Sequence, residues 1–259
     1  MHAAPVTPAG DLIRWVELPG AADAPTRVYL HGLGASSPAY FAAGAAHPLL
    51  AGRRSLLLDL LGFGLSDRPT DFPYTLEAHA DAVAAALRAA RVGGAEVIGH
   101  SMGGAVAIVL AHRHPELVAA LVLVDANLDP IPPGPGRGGS RGIAAYQEAE
   151  FLAGGWREVR EAVGPHWWST MRLAGRTALY RSAVHLARGT SPTMRELLLE
   201  LPIPRAFVYP AADGTAHLPG PGVRHFAIPE AGHNVMLDNP DAFARAVARA
   251  LAQQPADAD

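Results

Sequence analysis

The sequence predicts an α/β fold: a mostly parallel central sheet with helices on both faces, plus a helical cap inserted late in the chain. Three observations lead there. Short apolar runs rich in leucine and β-branched residues alternate with segments of helical spacing, the pattern of strands buried beneath helices on both sides. That alternation stops between Asn127 and about Ile203, then resumes. At 259 residues the chain is long enough to bury one large core.

Taken in order, the runs 11–18, 26–31, 54–59, 95–100, 120–125, 205–209 and 223–228 read as strands. Ahead of the fourth run, Thr75 reads as a helix N-cap, and Leu76, Ala80, Val83 and Leu87 follow at helical spacing. Residues 102–113 and 241–252 read as two further helices, with a frayed tail after Gln253. The Pro/Gly-rich stretch 130–142 precedes several helical patches without a clear strand. Residues 127–203 are therefore the expected cap, and 1–126 with 204–259 the core of a single domain.

Composition removes several function classes. Hydrophobic residues make up 49% of the chain, yet no apolar run reaches the ~18 to 20 residues of a membrane-spanning helix. Residues 1–10 lack a charged start followed by an apolar stretch, so no secretory signal is expected and the expected location is cytoplasmic. The absence of cysteine excludes disulfides, thiolate metal sites and a cysteine nucleophile. A net charge of -3, with all 21 basic residues being arginine and none clustered, leaves no footprint for nucleic acid. Oligomeric state is left open.

The most specific motif is Gly99-His100-Ser101-Met102-Gly103-Gly104, directly after one apolar run and before an alanine-rich helix. This is the context of a nucleophile elbow. A serine on so sharp a turn needs small residues two before and two after it, and Gly99 and Gly103 supply them. The turn exposes the hydroxyl and aims a helix N-terminus at it, which favours negative charge developing there. Earlier, the run ending at Leu30 leads into His31-Gly32-Leu33-Gly34, a glycine-rich turn at the sheet edge where ligands collect.

These pieces, with Asp59 before Gly62-Phe63-Gly64-Leu65-Ser66-Asp67 and with Ala231-Gly232-His233, resemble the α/β-hydrolase superfamily in its serine-nucleophile branch with an inserted cap. The resemblance covers nearly the whole chain apart from the cap. It implies that the backbone N–H groups of Leu33 and Met102 form an oxyanion hole, each donor being worth about 3 to 4 kcal/mol to such a transition state. It implies structural roles for Asp59 and its loop, and His31 reads as a histidine that holds the turn.

His233 follows the last expected strand, where the superfamily keeps its catalytic histidine. A serine hydroxyl is a poor nucleophile at neutral pH, and an imidazole titrating nearby can take its proton and return it. His112 and His114 sit in the last turn of a helix, where positive character is favourable anyway, and are not read as a metal pair.

The acid that should orient His233 has two candidates. Asp213 lies in Pro210-Ala211-Ala212-Asp213, which resembles the family's Gly-x-x-Asp and keeps the chain order Ser, Asp, His; it is preferred. It stands only 20 positions before His233, across a Gly/Pro-rich segment too short for the usual helix. Asp125 ends the strand expected beside the nucleophile strand, a position from which some superfamily members draw their acid.

Trp156, Trp167, Trp168, Tyr146, Phe151 and Tyr180 fall in the cap, where they either line an apolar substrate pocket or form the cap's own core. Arg137 and Arg141 flank a glycine-serine turn at the cap entrance, where they could pair with a substrate carboxylate, but exposed arginines on a loop are ordinary and they receive no role. The expected activity is a serine esterase acting on a small, apolar acyl compound through an acyl-enzyme on Ser101, with no metal or organic cofactor. A C–C bond hydrolase or thioesterase would use the same residues, and a ligand receptor could keep them without catalysis. Haloalkane dehalogenase and epoxide hydrolase chemistry is disfavoured, because those relatives carry aspartate in place of Ser101.

Overall fold

The computed structural model describes residues 1–21, 23–134 and 139–252. The tail beyond Gln253 and Arg137 lie outside the described residues. Strands β1 (His2–Pro5), β2 (Leu12–Leu18), β3 (Arg27–Leu30), β4 (Ser55–Asp59), β5 (Ala95–His100), β6 (Val118–Val124), β7 (Arg205–Pro210) and β8 (Arg224–Ile228) form one sheet in the order β1-β2-β4-β3-β5-β6-β7-β8. The pairs β1–β2 and β2–β4 are antiparallel and the others parallel. All seven expected strands are present, their ends within two residues of the expected ones. β1 was not expected: it is four residues long, exposed except at Ala4, and owes its conformation to pairing with β2 through registers such as Ala4 to Ile13.

Each inner strand alternates between two apolar faces, because successive side chains point to opposite sides. Val28, Leu30, Leu56, Leu58 and Val97 join one core, while Tyr29, Leu57, Ile98 and Val208 join the other. Helices α1 (Ser37–Ala45), α2 (Leu76–Ala89) and α3 (Met102–Arg113) precede β4, β5 and β6 respectively. The first core takes α2 and α3, and the second takes α1 and the terminal helix. Thr75 caps α2 through Ala78 N–H at 3.1 Å, a contact worth about 1 kcal/mol. The helix α1 went unnoticed in the sequence because its apolar residues do not gather on one stripe; packing of Tyr40, Phe41 and Ala45 holds it.

Between β6 and β7 the described residues form helices and no strand: α4 (Gly139–Ile143), α5 (Glu148–Glu150), a π turn (Phe151–Gly155), α6 (Trp156–Met171), α7 (Arg176–Arg188) and α8 (Met194–Glu200). Gly164 at φ 72° and Pro165 kink α6 in its middle. After β8 come α9 (Val235–Asp238) and α10 (Pro240–Leu251). Among the described residues no helix is long and apolar enough to cross a membrane.

Candidate active site

The site gathers at the carboxyl ends of β3, β5 and β6, the central strands of the sheet. Ser101 stands between β5 and α3 with φ 52° and ψ -118°, a strained conformation fixed by the donation of its N–H to Val124 O at 3.0 Å. The flanking glycines are required by close approach. A Cβ on Gly99 would lie 2.5 Å from Gly103 O, and one on Gly103 would lie 2.4 Å from Leu30 O.

The turn after β3 is locked by His31. Its Nδ1–H donates to Gly32 O at 2.7 Å and its Nε2 accepts from Leu60 N–H at 3.0 Å, so the buried ring is neutral, and burial lowers its pKa. Asp59 accepts from Ser36 Oγ, Ser37 N–H and Leu65 N–H, which ties the neighbouring loops beneath the turn. On the resulting scaffold, neither Leu33 N–H nor Met102 N–H has an acceptor among the described residues, although Leu33 and Met102 are 6% and 0% exposed. Buried amides left without a partner are uncommon and are costly unless something occupies them.

His233 lies in the loop between β8 and α9, with its ring half-exposed. Its Nδ1 is 2.6 Å from Asp125 Oδ2. Asp125 sits just past β6 at φ 43°, its backbone held by donation of its N–H to Val208 O at 2.8 Å. Asp213 occupies the exposed turn Ala211–Asp213 after β7 and, among the described residues, makes no hydrogen bond to His233. Both acids are near strand ends, but β6 is the immediate neighbour of β5, whereas β7 lies one strand further out. The structure therefore brings together Ser101, His233, Asp125, Leu33 and Met102, and leaves Asp213 aside.

Two partners were not read from the sequence. Ser101 Oγ donates to Asn127 Oδ1 at 3.2 Å; among the described residues no hydrogen bond joins it to His233. Asn127 stands two positions past Asp125, and its place beyond a strand's carboxyl end was the available signal. His100 donates from Nε2 to His233 O at 2.9 Å, and its ring lies 4.6 Å from the His233 ring. Burial, followed by the neighbouring His233, holds His100 well below the usual histidine pKa, so it is neutral.

A cavity of about 580 Å³ opens over Ser101 and His233, within the range of small-molecule sites. Its far walls come from the inserted helical segment, including Ile131, Arg141, Val163, Trp167 and Leu186. Trp167 Nε1 donates to Leu33 O at 3.0 Å. The other aromatic residues pack mainly with one another: Trp156 stacks on Trp168 at 6.1 Å, and Phe151 lies against Tyr146 and Tyr180. His114 is 2.9 Å from Asp81, and His112 is exposed on the surface.

Comparison with known proteins bears on the fold. A family model described as alpha/beta hydrolase fold matches residues 28–211. The chain is 40% identical over 96 residues, 37% of its length and 34% of the relative's, to 2-hydroxymuconate semialdehyde hydrolase from Pseudomonas sp. (strain CF600). It is 51% identical over 67 residues, 26% of its length and 25% of the relative's, to lipase LipV from Mycobacterium tuberculosis. The matches thus span about a third or less of these curated relatives. Among solved structures, an esterase from Exiguobacterium antarcticum superposes with a TM-score of 0.75 at 18% identity, over 96% of this chain and 98% of that one. With the model matching most of the chain over the same strands, elbow and inserted segment, the protein belongs to the α/β-hydrolase fold family.

Proposed function

We propose that the protein is a serine hydrolase acting on a small ester or related acyl compound, with Ser101, His233 and Asp125 as its triad. The observation that carries this reading is the 2.6 Å contact between His233 Nδ1 and Asp125 Oδ2 beside a strained, cavity-facing Ser101. Asp125 holds the imidazole with its proton on Nδ1, so that the Nε2 lone pair is available to a serine hydroxyl. The hydroxyl turns from Asn127 to His233 as substrate enters; apo triads are commonly looser than the reacting complex.

In the first half-reaction His233 takes the Ser101 proton while Oγ attacks the carbonyl carbon. Leu33 and Met102 N–H stabilise the oxyanion, and the protonated imidazole then hands its proton to the departing alkoxide. In the second, His233 deprotonates water, which attacks the acyl-enzyme, and the proton returns to Ser101 as the acid leaves. The segment 127–203 serves as the cap over this chemistry, and residues 1–126 with 204–259 as the core.

C–C bond hydrolysis is the second reading, favoured by the 40% identity over 96 residues to 2-hydroxymuconate semialdehyde hydrolase. It requires the same residues, with a carbon leaving group in place of an alkoxide. Fluorophosphonate labelling together with chromogenic short-chain and aryl esters tests the proposal. Labelling and turnover are expected, and both vanish in Ser101→Ala. Asp125→Asn is expected to lower kcat about a thousandfold or more, whereas Asp213→Asn stays within about threefold of the parent. The reverse order would return the acid to Asp213. A wild-type protein that neither labels nor turns over any ester would point to the receptor alternative.

A further inference from the structure

We propose that the acyl substrate is an anion whose carboxylate is bound by Arg141 on the cap, an inference that rests on the hydrolase reading of the same cavity. Among the described residues that line the cavity there is no aspartate or glutamate. It does contain Arg141, together with His166, Ser140 and Asn234, so its ionisable and hydrogen-bonding groups suit a negative ligand. The Asp125 carboxylate is spent on His233 and is not among the lining residues.

Arg141 is positioned for this task. It lies half-buried in α4, and its Nε donates to Pro132 O at 2.9 Å, which fixes the guanidinium plane. Among the described residues no carboxylate is within ion-pair distance of it. By contrast, Arg14, Arg27, Arg54, Arg88, Arg113 and Arg195 each pair with an acid. An arginine anchored at one nitrogen keeps its terminal nitrogens for a bidentate contact with a carboxylate. Away from these groups the wall also presents a large apolar and aromatic surface, from Leu33, Tyr40, Ile131, Val163, Trp167 and Leu186. The substrate class that matches both halves is a short acyl chain ending in a carboxylate, such as the monoester of a dicarboxylic acid.

The test compares mono-4-nitrophenyl glutarate with 4-nitrophenyl hexanoate, which have the same leaving group and similar length. The wild-type protein is expected to prefer the glutarate ester in kcat/KM, and Arg141→Gln to lower the anionic-to-neutral ratio at least tenfold. Arg141→Lys, which keeps the charge but loses both the Pro132 anchor and the bidentate fork, is expected to retain only part of the preference, between the wild type and Arg141→Gln. An equal or greater kcat/KM for the hexanoate in the wild type would overturn the carboxylate site while leaving the hydrolase reading intact. So would a ratio unmoved by Arg141→Gln in a variant of unchanged melting temperature. If Ser101 neither labels nor turns over either ester, the hydrolase reading fails. The anion site is then read directly: monomethyl glutarate raises the melting temperature more than methyl hexanoate does, and Arg141→Gln abolishes the difference. No such difference would overturn the site as well.

Discussion

At the scale of single residues, backbone clearance decides what can stand at the elbow. The hypothetical Cβ of Gly103 meets Leu30 O, a backbone atom at the end of a buried strand that has no room to retreat. Gly103→Ala is expected to lower stability by about 2 to 3 kcal/mol by overpacking and to slow labelling of Ser101; chemical denaturation and fluorophosphonate kinetics measure the two effects. The need for small residues at the elbow was legible because the Gly99 clash, with Gly103 O, lies within five consecutive residues, whereas the closeness of Gly103 to Leu30 O is tertiary. The acid was not legible. Asp213 carries the local resemblance, yet Asp125 makes the contact, and 108 positions separate Asp125 from His233. Nothing local to either aspartate says which strand end faces the last loop.

Among elements, the inserted helices share an apolar core with α2 and α3 and are joined to the rest of the chain by specific hydrogen bonds as well. Trp167 on α6 donates to Leu33 O, and Gly175 N–H, just before α7, donates to Gly62 O at 2.8 Å. The first of these holds the residue whose own N–H is proposed to face the oxyanion, so cap position and oxyanion geometry are coupled. Trp167→Phe keeps an aromatic body but deletes the donor. It is expected to lower kcat about fivefold with a smaller change in KM, matching the roughly 1 kcal/mol of one buried hydrogen bond. Steady-state kinetics on a single ester would show this split, and an unchanged kcat would mean that Leu33 is held well enough without it. The aromatic enrichment of the segment was plain in the sequence. That Trp167 enters the cavity while Trp156 and Trp168 stack on each other follows from the kink at Gly164 and Pro165, which sets the helix faces.

For the molecule as a whole, buried histidines contribute to the response to acid, beside carboxylates such as Asp67 and Asp81 whose pKa values are also lowered. His79 on α2 contacts Ser182 on α7 at 3.3 Å and lies among Phe63, Phe72 and Tyr74. Burial, and secondarily His31 and His185, bring its pKa down to about 3. His31 and His100 are lowered as well, again chiefly by burial. Because the folded values lie below that of an unfolded histidine, near 6.5, the unfolded chain takes up protons that the folded chain refuses as pH falls. The contribution of these histidines to stability is therefore fully present above about pH 6.5 and is lost below it, by up to about 1.4 kcal/mol per pH unit for each. For His79 the decline runs down to about pH 3. His79→Leu should lose less melting temperature between pH 7 and pH 5 than the parent, a comparison that thermal scans at both pH values provide.

Strand order along the chain, the serine turn, the glycine turn after Leu30 and the histidine after the last strand were all readable, because each is encoded in neighbouring residues. Periodicity and steric clearance act over a few positions, and they leave the same mark wherever the chain later folds. The partner of His233, the resting hydrogen bond of Ser101 to Asn127 and the placement of Arg141 and Trp167 in the cavity wall belong to tertiary structure. Those contacts join segments distant in sequence, and they exist because β6 lies next to β5 in the sheet and the inserted helices close over the carboxyl ends of both.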